Sequence, residues 1–232
     1  MRTPIPILHR TERLVVVAKP PGLLTAPEKG GPARSLVEVL AEEGVVAQAV
    51  HRLDLEVSGA VILALDDEAR LALEALFRER AVTKIYWALA SGRYQEARGV
   101  YRWPILESGP EVRVDERGKP AETRWTVLER HAVATEMEIE LVTGRRNQIR
   151  VHFAHGGHAL IGDRKYGRAR DQKLRAPSRR VALHSWRLAF ESPFGDGRVA
   201  VEAPLPDDLL ELRAEARRSG GGPTLPRSGP RH

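Results

Sequence analysis

The chain has 232 residues, and 37 Lys and Arg against 31 Asp and Glu give it a formal net charge of +6 at pH 7 and an isoelectric point of about 10.0. It contains no apolar run of about 18 residues or more and no secretory signal pattern, so the sequence predicts no membrane-spanning segment. The lack of cysteine excludes disulfides, thiolate zinc sites and cysteine nucleophiles, and it is compatible with the cytoplasmic location that we predict.

The first part of the chain predicts strands alternating with short helices. Leu14–Ala18 is a β-branched strand that ends at a Pro-Pro-Gly turn. Ser35 then caps a helix that runs to about Glu43, with a glycine just beyond as its stop signal. An apolar run at Val61–Leu65 predicts a buried strand, and the helix after it begins at Asp66.

Further strands and one short helix follow. Thr83–Leu89 is predicted as a strand, and three antiparallel strands are predicted between about Val112 and Val142, including a hairpin that turns at Asp115–Pro120. Asn147 to His155 predicts a short helix that ends at two glycines. Two late strands are predicted at Val181–Phe190 and Val199–Val201.

These elements favour an α+β fold with a mixed, mostly antiparallel central sheet flanked by helices, because strands outnumber helices and much of the pairing is local. We predict a single catalytic domain over residues 1–212, with no separate N-terminal RNA-binding domain. Residues 213–232 consist largely of Arg, Ser, Gly and Pro, which predicts a disordered basic tail.

Positive charge is concentrated in the second half of the chain. Arg164–Arg180 carries eight basic residues against one acid, and Thr143–His152 adds three arginines without an acid. Such clustering favours a polyanionic partner, because Lys and Arg displace the counterions of phosphate groups. A solvated basic face without a partner is the alternative that charge alone leaves open.

Two polar constellations are candidates for chemistry. His51–Gly59 places Arg52 beside Asp54 on a loop directly before the apolar strand, although a surface salt bridge would give the same pattern. Gly144–His152 combines a glycine turn, three arginines and two amides at a helix start, which suits an anion. A basic amphipathic helix explains the second stretch equally well when it is taken alone.

With these residues in place, the chain resembles the RluA-type pseudouridine synthases, which isomerise selected uridines in structured RNA. The resemblance covers about residues 10 to 205, and His51 before Arg-Leu-Asp is typical of this branch. Each motif is weak alone, but their occurrence together and in the family's order is highly specific. The motifs are Val17–Gly22, His51–Asp54 with Ser58-Gly59, Lys84–Tyr86, Gly144–His152, Gly162-Asp163 and Tyr166-Gly167.

The resemblance implies that Asp54 is the catalytic aspartate, acting as a nucleophile at C1′ or as a base at C2′ of the target uridine. It assigns Arg150 as the partner of this carboxylate. Tyr86 is implied as the aromatic that stacks on uracil and as a candidate for removing the C5 proton. The reaction needs no redox change or group donor, so no cofactor and no metal are expected.

The remaining predicted contacts are with RNA. Arg52 is assigned to the space left by the flipped base, since flipping costs a few kcal/mol that inserted groups offset. The expected partner is structured ribosomal or transfer RNA, bound by a monomer. Further substrate or RNA contacts are predicted for His51, Lys19, Arg145, Gln148, Arg164 and Lys165.

Three positions depart from the family pattern. Val57 stands where threonine is typical, Asn147 replaces a usual histidine, and Ala159 replaces a common proline. They leave Asp54 and Arg150 in place, so they bear on the subgroup and substrate more than on activity.

Two other functions compete with this interpretation. A non-catalytic RNA-binding protein of the same fold would share the basic field without requiring the catalytic residues. A metal-dependent hydrolase is suggested by His152, His155 and His158, but two glycines interrupt the helix before the third histidine and Arg150 would repel a cation.

Overall fold

The structure is a computed structural model, and it describes residues 4–28, 33–168, 174 and 180–219. Twelve strands and four helices lie within these ranges. The strands are β1 (Ile7–Arg10), β2 (Leu14–Lys19), β3 (Gln48–Ala49), β4 (Ser58–Ala64), β5 (Thr83–Ser91), β6 (Arg98–Tyr101), β7 (Ile105–Ser108), β8 (Glu111–Val114), β9 (Thr123–Arg130), β10 (Ala134–Leu141), β11 (Leu183–Glu191) and β12 (Arg198–Glu202). The helices are α1 (Leu36–Glu42), α2 (Asp67–Arg78), α3 (Gln148–His155) and α4 (Asp207–Ser219).

Ten strands form one sheet in the order β1-β2-β4-β11-β5-β10-β9-β6, with β12 beside β11 and β3 beside β4. Only the pairing of β4 with β11 is parallel among the described strands, so the predicted mixed, mostly antiparallel α+β fold is confirmed. Gly59 makes this parallel contact possible, because a Cβ there would lie 2.2 Å from the carbonyl oxygen of Ser185. The close approach brings β11 alongside the loop that precedes β4.

Local signals placed the first two helices correctly. The Ser35 hydroxyl accepts a hydrogen bond from the Glu38 amide, and the Glu38 carboxylate accepts one from the Ser35 amide, which forms a capping box. Asp66 caps α2 through the amide of Ala69 at 2.8 Å. Apolar residues on both helices and both faces of the sheet form the core, which holds the sheet ends in place around the candidate site.

The predicted hairpin at Asp115–Pro120 is wrong in its pairing. The turn exists, since the Gly118 amide donates to the Asp115 carbonyl at 2.8 Å, but β8 pairs with β7 in a separate two-stranded sheet. The chain after the turn returns to Ile105, which exchanges two backbone hydrogen bonds of 2.9 Å with Lys119. A Cβ at Gly118 would lie 2.3 Å from the Ile105 backbone, so this approach requires glycine.

The predicted start of the disordered tail at Arg213 is also wrong, because α4 continues to Ser219. Leu212 and Ala216 are buried on its inner face, and Arg213 and Arg217 pair with Glu136 and Glu129 of the sheet. Residues 220–232 lie outside the described ranges, as does most of the basic stretch from residue 164 to 180. None of the described helices is long and apolar enough to cross a membrane.

Candidate active site

Asp54 lies on the loop between β3 and β4, and neighbouring core residues hold this loop at both ends. The Leu53 amide donates to the Thr25 hydroxyl at 3.0 Å, and that hydroxyl donates back to the Leu53 carbonyl at 3.3 Å. The Val57 amide closes a turn onto the Asp54 carbonyl at 3.0 Å, while its side chain is 2% exposed in the core. Valine therefore serves as a packing residue at this position, where a hydroxyl would have to find a partner.

Lys19 lies beneath the same loop. Its side chain is buried, and Nζ donates to the carbonyls of Leu23 at 2.7 Å, Pro20 at 3.0 Å and Leu55 at 3.5 Å. Burial, helped by the charge of Arg180, lowers the pKa of Lys19 to about 7, although Asp54 opposes the shift. Lys19 thus lies near the cleft, and its ammonium faces three backbone carbonyls; its contact with substrate or RNA stays a prediction.

The buried ammonium predicts a pH-dependent stability that Lys19→Met should remove. Between pH 7 and 10.5 the unfolded lysine stays protonated while the folded lysine loses its proton, so stability rises with pH over this window. We expect the free energy of unfolding of the wild type to gain up to about 3 kcal/mol relative to Lys19→Met across it, given ~1.4 kcal/mol per pKa unit and a discount for relaxation. Urea unfolding at several pH values measures this, with the exposed Lys119→Met as the control; equal pH dependence in wild type and Lys19→Met would contradict it.

A second buried cation clamps the loop from the other side. Arg180 donates to the Glu56 carbonyl at 3.1 Å and to the Ser58 hydroxyl at 3.1 Å, and it pairs with Asp208 of α4 at 2.6 Å. Ser58 also hydrogen-bonds His184 of β11 at 2.8 Å. The loop carrying Asp54 is thus fastened to both β11 and α4, which gives its carboxylate a defined position.

Arg150 connects the loop to α3. It is buried, and its Nε and Nη2 donate to the two oxygens of Asp163 at 2.8 and 2.9 Å. This bidentate pair leaves Nη1 facing Asp54 at 3.4 Å, with Glu56 at 3.6 Å from Nη2. Burial alone would lower the pKa of Arg150, but the hydrogen bonds to Asp163 and the nearby carboxylates outweigh it and raise the pKa, so the guanidinium stays charged.

Asn147 lies between the Tyr166 hydroxyl and the Asp54 carboxylate. The amide orientation that satisfies both neighbours has Nδ2 donating to Asp54 at 2.7 and 3.1 Å and Oδ1 accepting from Tyr166 at 2.8 Å. Its backbone is left-handed, with φ 54°, which asparagine tolerates better than most residues. Asp54 therefore has two donors, the amide of Asn147 and the guanidinium of Arg150.

Tyr86 of β5 lines the same cleft as Asp54. Its side chain is mostly buried, and burial together with the charge of Asp54 raises the pKa of its phenol, which therefore stays protonated at neutral pH. The cleft has a volume of about 450 Å³. Its lining residues are Arg52, Leu53, Asp54, Val57, Tyr86, Glu107, Leu141, Gly144, Arg145, Arg146, Asn147, Gln148, Ile149, Arg150 and Leu183.

The predicted RNA contacts divide into exposed and internal residues. Arg52 is 69% exposed at the cleft rim and touches Glu28 at 3.4 Å. Arg145 is partly exposed in the cleft wall, and Arg164 and Lys165 are exposed on the turn after Asp163, where Lys165 also donates to Pro110.

His51 and Gln148 have internal roles in the described structure. The Nε2 of His51 accepts the Ile62 amide at 2.9 Å, its ring stacks on Phe77, and burial lowers its pKa to about 3. The Gln148 side chain is 2% exposed, and its amide bonds Thr143, the Arg145 backbone and residues 122–123. Gln148 thus holds the turn that carries Arg145, and its contact with RNA stays a prediction.

The three histidines of the hydrolase alternative do not converge. His152 uses both ring nitrogens, on the Thr123 hydroxyl at 2.9 Å and the Trp103 carbonyl at 2.8 Å. The His158 ring bonds the Ser91 carbonyl at 2.7 Å, and His155 packs edge-on against Trp103. Their partners lie on different segments, which argues against a shared metal.

Sequence reasoning assigned no individual roles to Asp163 and Asn147, and it counted Arg180 only in the basic stretch expected to face a polyanion, whereas the structure buries Arg180 against Asp208. Asp163 was visible only as part of a Gly-Asp motif, and Asn147 only as a departure from a family pattern. No local signal marked Arg180, because its contacts with Glu56 and Asp208 join segments far apart in the chain.

Comparison with known proteins shows which family the chain resembles in sequence and fold. Residues 13–155 match the family described as RNA pseudouridylate synthase. Ribosomal large subunit pseudouridine synthase D of Nitrosomonas europaea is 35% identical over 224 residues, which cover 90% of this chain and 64% of that protein. Ribosomal large subunit pseudouridine synthase C of Haemophilus ducreyi is 35% identical over 223 residues, 91% of this chain and 69% of that protein. The chain thus spans about two thirds of the length of these relatives.

Two solved human structures are similar. Human RNA Pseudouridylate Synthase Domain Containing 1 has a TM-score of 0.76 at 26% identity, covering 96% of this chain and 100% of that one. Human RNA Pseudouridylate Synthase Domain Containing 4 has a TM-score of 0.75 at 25% identity, covering 91% of this chain and 93% of that one.

Proposed function

The chain belongs to the RNA pseudouridylate synthase family, whose members are isomerases acting on RNA, and on that premise we propose that it converts uridines of structured RNA to pseudouridine. The observation that carries the proposal is the convergence of Asp54, Arg150 and Tyr86, from three separate segments, on one cleft. A non-catalytic RNA-binding protein would not need this convergence.

Asp54 is the proposed catalytic residue. Pseudouridine formation breaks the N1–C1′ bond, turns the bound uracil and rejoins it through C5. A carboxylate at the sugar serves either as the nucleophile at C1′ or as the base at C2′. Arg150 and Asn147 hold the carboxylate by hydrogen bonds, and Asp163 in turn holds Arg150, so the reacting oxygen is preorganised.

Tyr86 and Arg52 are proposed to act on the base. The neutral phenol of Tyr86 offers a ring for stacking on uracil, and it could take up the C5 proton only after giving away its own. Arg52 stands exposed at the rim, where it would occupy the space that the flipped uridine leaves in the RNA. The domain is proposed to act without a cofactor, because isomerisation needs no external donor. It is also proposed to act as a monomer.

The names of the relatives favour large-subunit ribosomal RNA as the target over transfer RNA. Mapping pseudouridines by a carbodiimide-stop assay, in cells with and without this protein, tests the proposal. We expect a carbodiimide-dependent stop of reverse transcription in ribosomal RNA. This stop should be lost when the gene is deleted and restored when the wild-type protein is supplied. An unchanged map in ribosomal and transfer RNA would refute the function.

Asn147 is proposed as a positioning residue for Asp54. Asn147→Gly removes the amide but suits the left-handed backbone, so we expect unchanged stability and a turnover loss of about 10- to 100-fold. The loss should fall on kcat, with KM changed by less than about 3-fold, because the amide is proposed to position the reacting carboxylate and not to bind RNA. Asn147→His, which restores an N–H group, should recover part of the activity. A kcat of Asn147→Gly equal to that of the wild type would leave the amide without this role.

A further inference from the structure

A second cavity continues from the catalytic cleft past Arg52 and Tyr86. It has a volume of about 520 Å³ and lies between the end of α2, the start of β5 and the loop after β10. We call it the α2–β5 groove. Its lining residues are His51, Arg52, Phe77, Arg78, Arg80, Lys84, Tyr86, Leu141, Val142, Thr143, Gly144 and Arg145.

The described residues that line the groove include several basic side chains and no carboxylate. Arg78 and Arg80 come from the end of α2, Lys84 from β5 and Arg145 from the loop after β10, and none of the described lining residues is acidic. Lys84 is 9% exposed, and its pKa is lowered by burial and then by the charge of Arg80. Holding like charges together in this way is unfavourable unless an anion is present at some stage.

Arg80 occupies a position that favours glycine. The Ala81 amide donates to the Leu76 carbonyl at 2.8 Å and the Arg80 amide to the Phe77 carbonyl at 3.3 Å, which form a Schellman motif at the end of α2. Arg80 has the left-handed φ of 60° that this motif requires. A strained non-glycine residue whose side chain lines a cavity points to a role for that side chain.

Stabilisation of the helix end does not explain the whole set. Cations favour the negative end of a helix, and this suffices for Arg78, which also lies 4.0 Å from Glu79. It does not explain Lys84, which belongs to a strand and has no ion-pair partner among the described residues. The cations from α2, β5 and the Arg145 loop share only the groove.

We propose that the α2–β5 groove binds phosphodiester groups of the RNA strand that flanks the target uridine. The inference rests on the proposed function, since the groove opens from the catalytic cleft and shares Arg52, Tyr86 and Arg145 with it. Phosphate contacts of this kind position the RNA without reading its sequence. Arg80 and Lys84 extend the contact surface beyond the basic residues singled out by sequence.

Arg80→Gly is the sharpest test, because glycine relieves the backbone strain while removing the charge. The probe is a synthetic RNA hairpin with an all-uridine loop, titrated between about 50 and 200 mM salt. We expect an unchanged or higher melting temperature, several-fold weaker binding and a salt slope smaller by about 0.7 to 0.9. Arg78→Ala/Arg80→Gly should lose about twice as much of the slope.

The matched control is Arg70→Ala, which removes one positive charge from the same helix at a residue already paired with Glu74 at 2.9 Å. If the salt slope of RNA binding in Arg80→Gly equals that of the wild type or of Arg70→Ala, the proposal that the groove binds phosphodiester groups is wrong. Pseudouridine mapping separates the two proposals. If Arg80→Gly reduces the salt slope but the wild-type protein modifies no RNA, RNA binding in the groove is supported and the proposed activity is refuted.

Discussion

Asp54→Asn is expected to abolish pseudouridine formation while leaving RNA affinity within a few-fold of the wild type. The amide has nearly the same shape as the carboxylate but is neither a nucleophile for C1′ nor a base for C2′. Loss of a sole reacting group costs turnover on the order of 10³- to 10⁴-fold or more. The proposed phosphate contacts, which we expect to supply most of the affinity, are untouched by the change.

Single-turnover assays on the mapped uridine, with binding measured on the same RNA, provide the readout. Glu56→Gln is the control, because it removes another carboxylate near Arg150, at 3.6 Å, and should cost less than about ten-fold. Turnover in Asp54→Asn close to that of wild type would remove Asp54 from the chemistry. If Asp54→Asn and Glu56→Gln lose turnover equally, Asp54 contributes only its negative charge and not a reacting group.

The second large effect concerns the buried pair of Arg150 and Asp163. Arg150→Met should lower the free energy of unfolding by about 3–5 kcal/mol, because it leaves the fully buried Asp163 carboxylate without its partner. Turnover should be lost as well, since Asp54 then lacks the guanidinium. Urea unfolding at pH 7 and the single-turnover assay measure the two effects separately.

A double variant distinguishes charge from packing. In Arg150→Met/Asp163→Asn the uncompensated charge is gone, and the asparagine oxygen still accepts the amides of Lys165 and Tyr166 that Asp163 accepts at 3.0 Å. Most of the stability should return while turnover stays lost. If the double variant is as unstable as Arg150→Met, packing of Arg150 against Tyr166 is the larger contribution.

The features predictable from sequence were those that neighbouring residues determine. The capping residues Ser35 and Asp66 placed the starts of α1 and α2, and the apolar run before residue 65 placed β4. The catalytic candidates were found because the motifs around Asp54 and Arg150 are short and contiguous, although their contact spans the fold.

Features decided by distant partners were missed. A β-strand does not specify which strand it will pair with, so the turn at residue 115 was assigned to the wrong hairpin. The C-terminal part of α4 was missed because its arginines are typical of a disordered basic segment. Their charges are balanced by Glu129 and Glu136, more than 70 residues earlier in the chain. The contact of Asn147 with Asp54 depends in the same way on tertiary placement.

The Arg180 clamp has a consequence for how the active site forms during folding. Its bonds to Glu56 and Ser58 join residues 124 and 122 positions apart, and Asp208 lies 28 residues farther on. Contacts of such high sequence separation form slowly, because the loop entropy must be lost before they contribute. During synthesis the loop of Asp54 therefore has its contacts with Thr25 and Lys19 before it has those with Arg180, which wait until the segment through α4 has left the ribosome and docked.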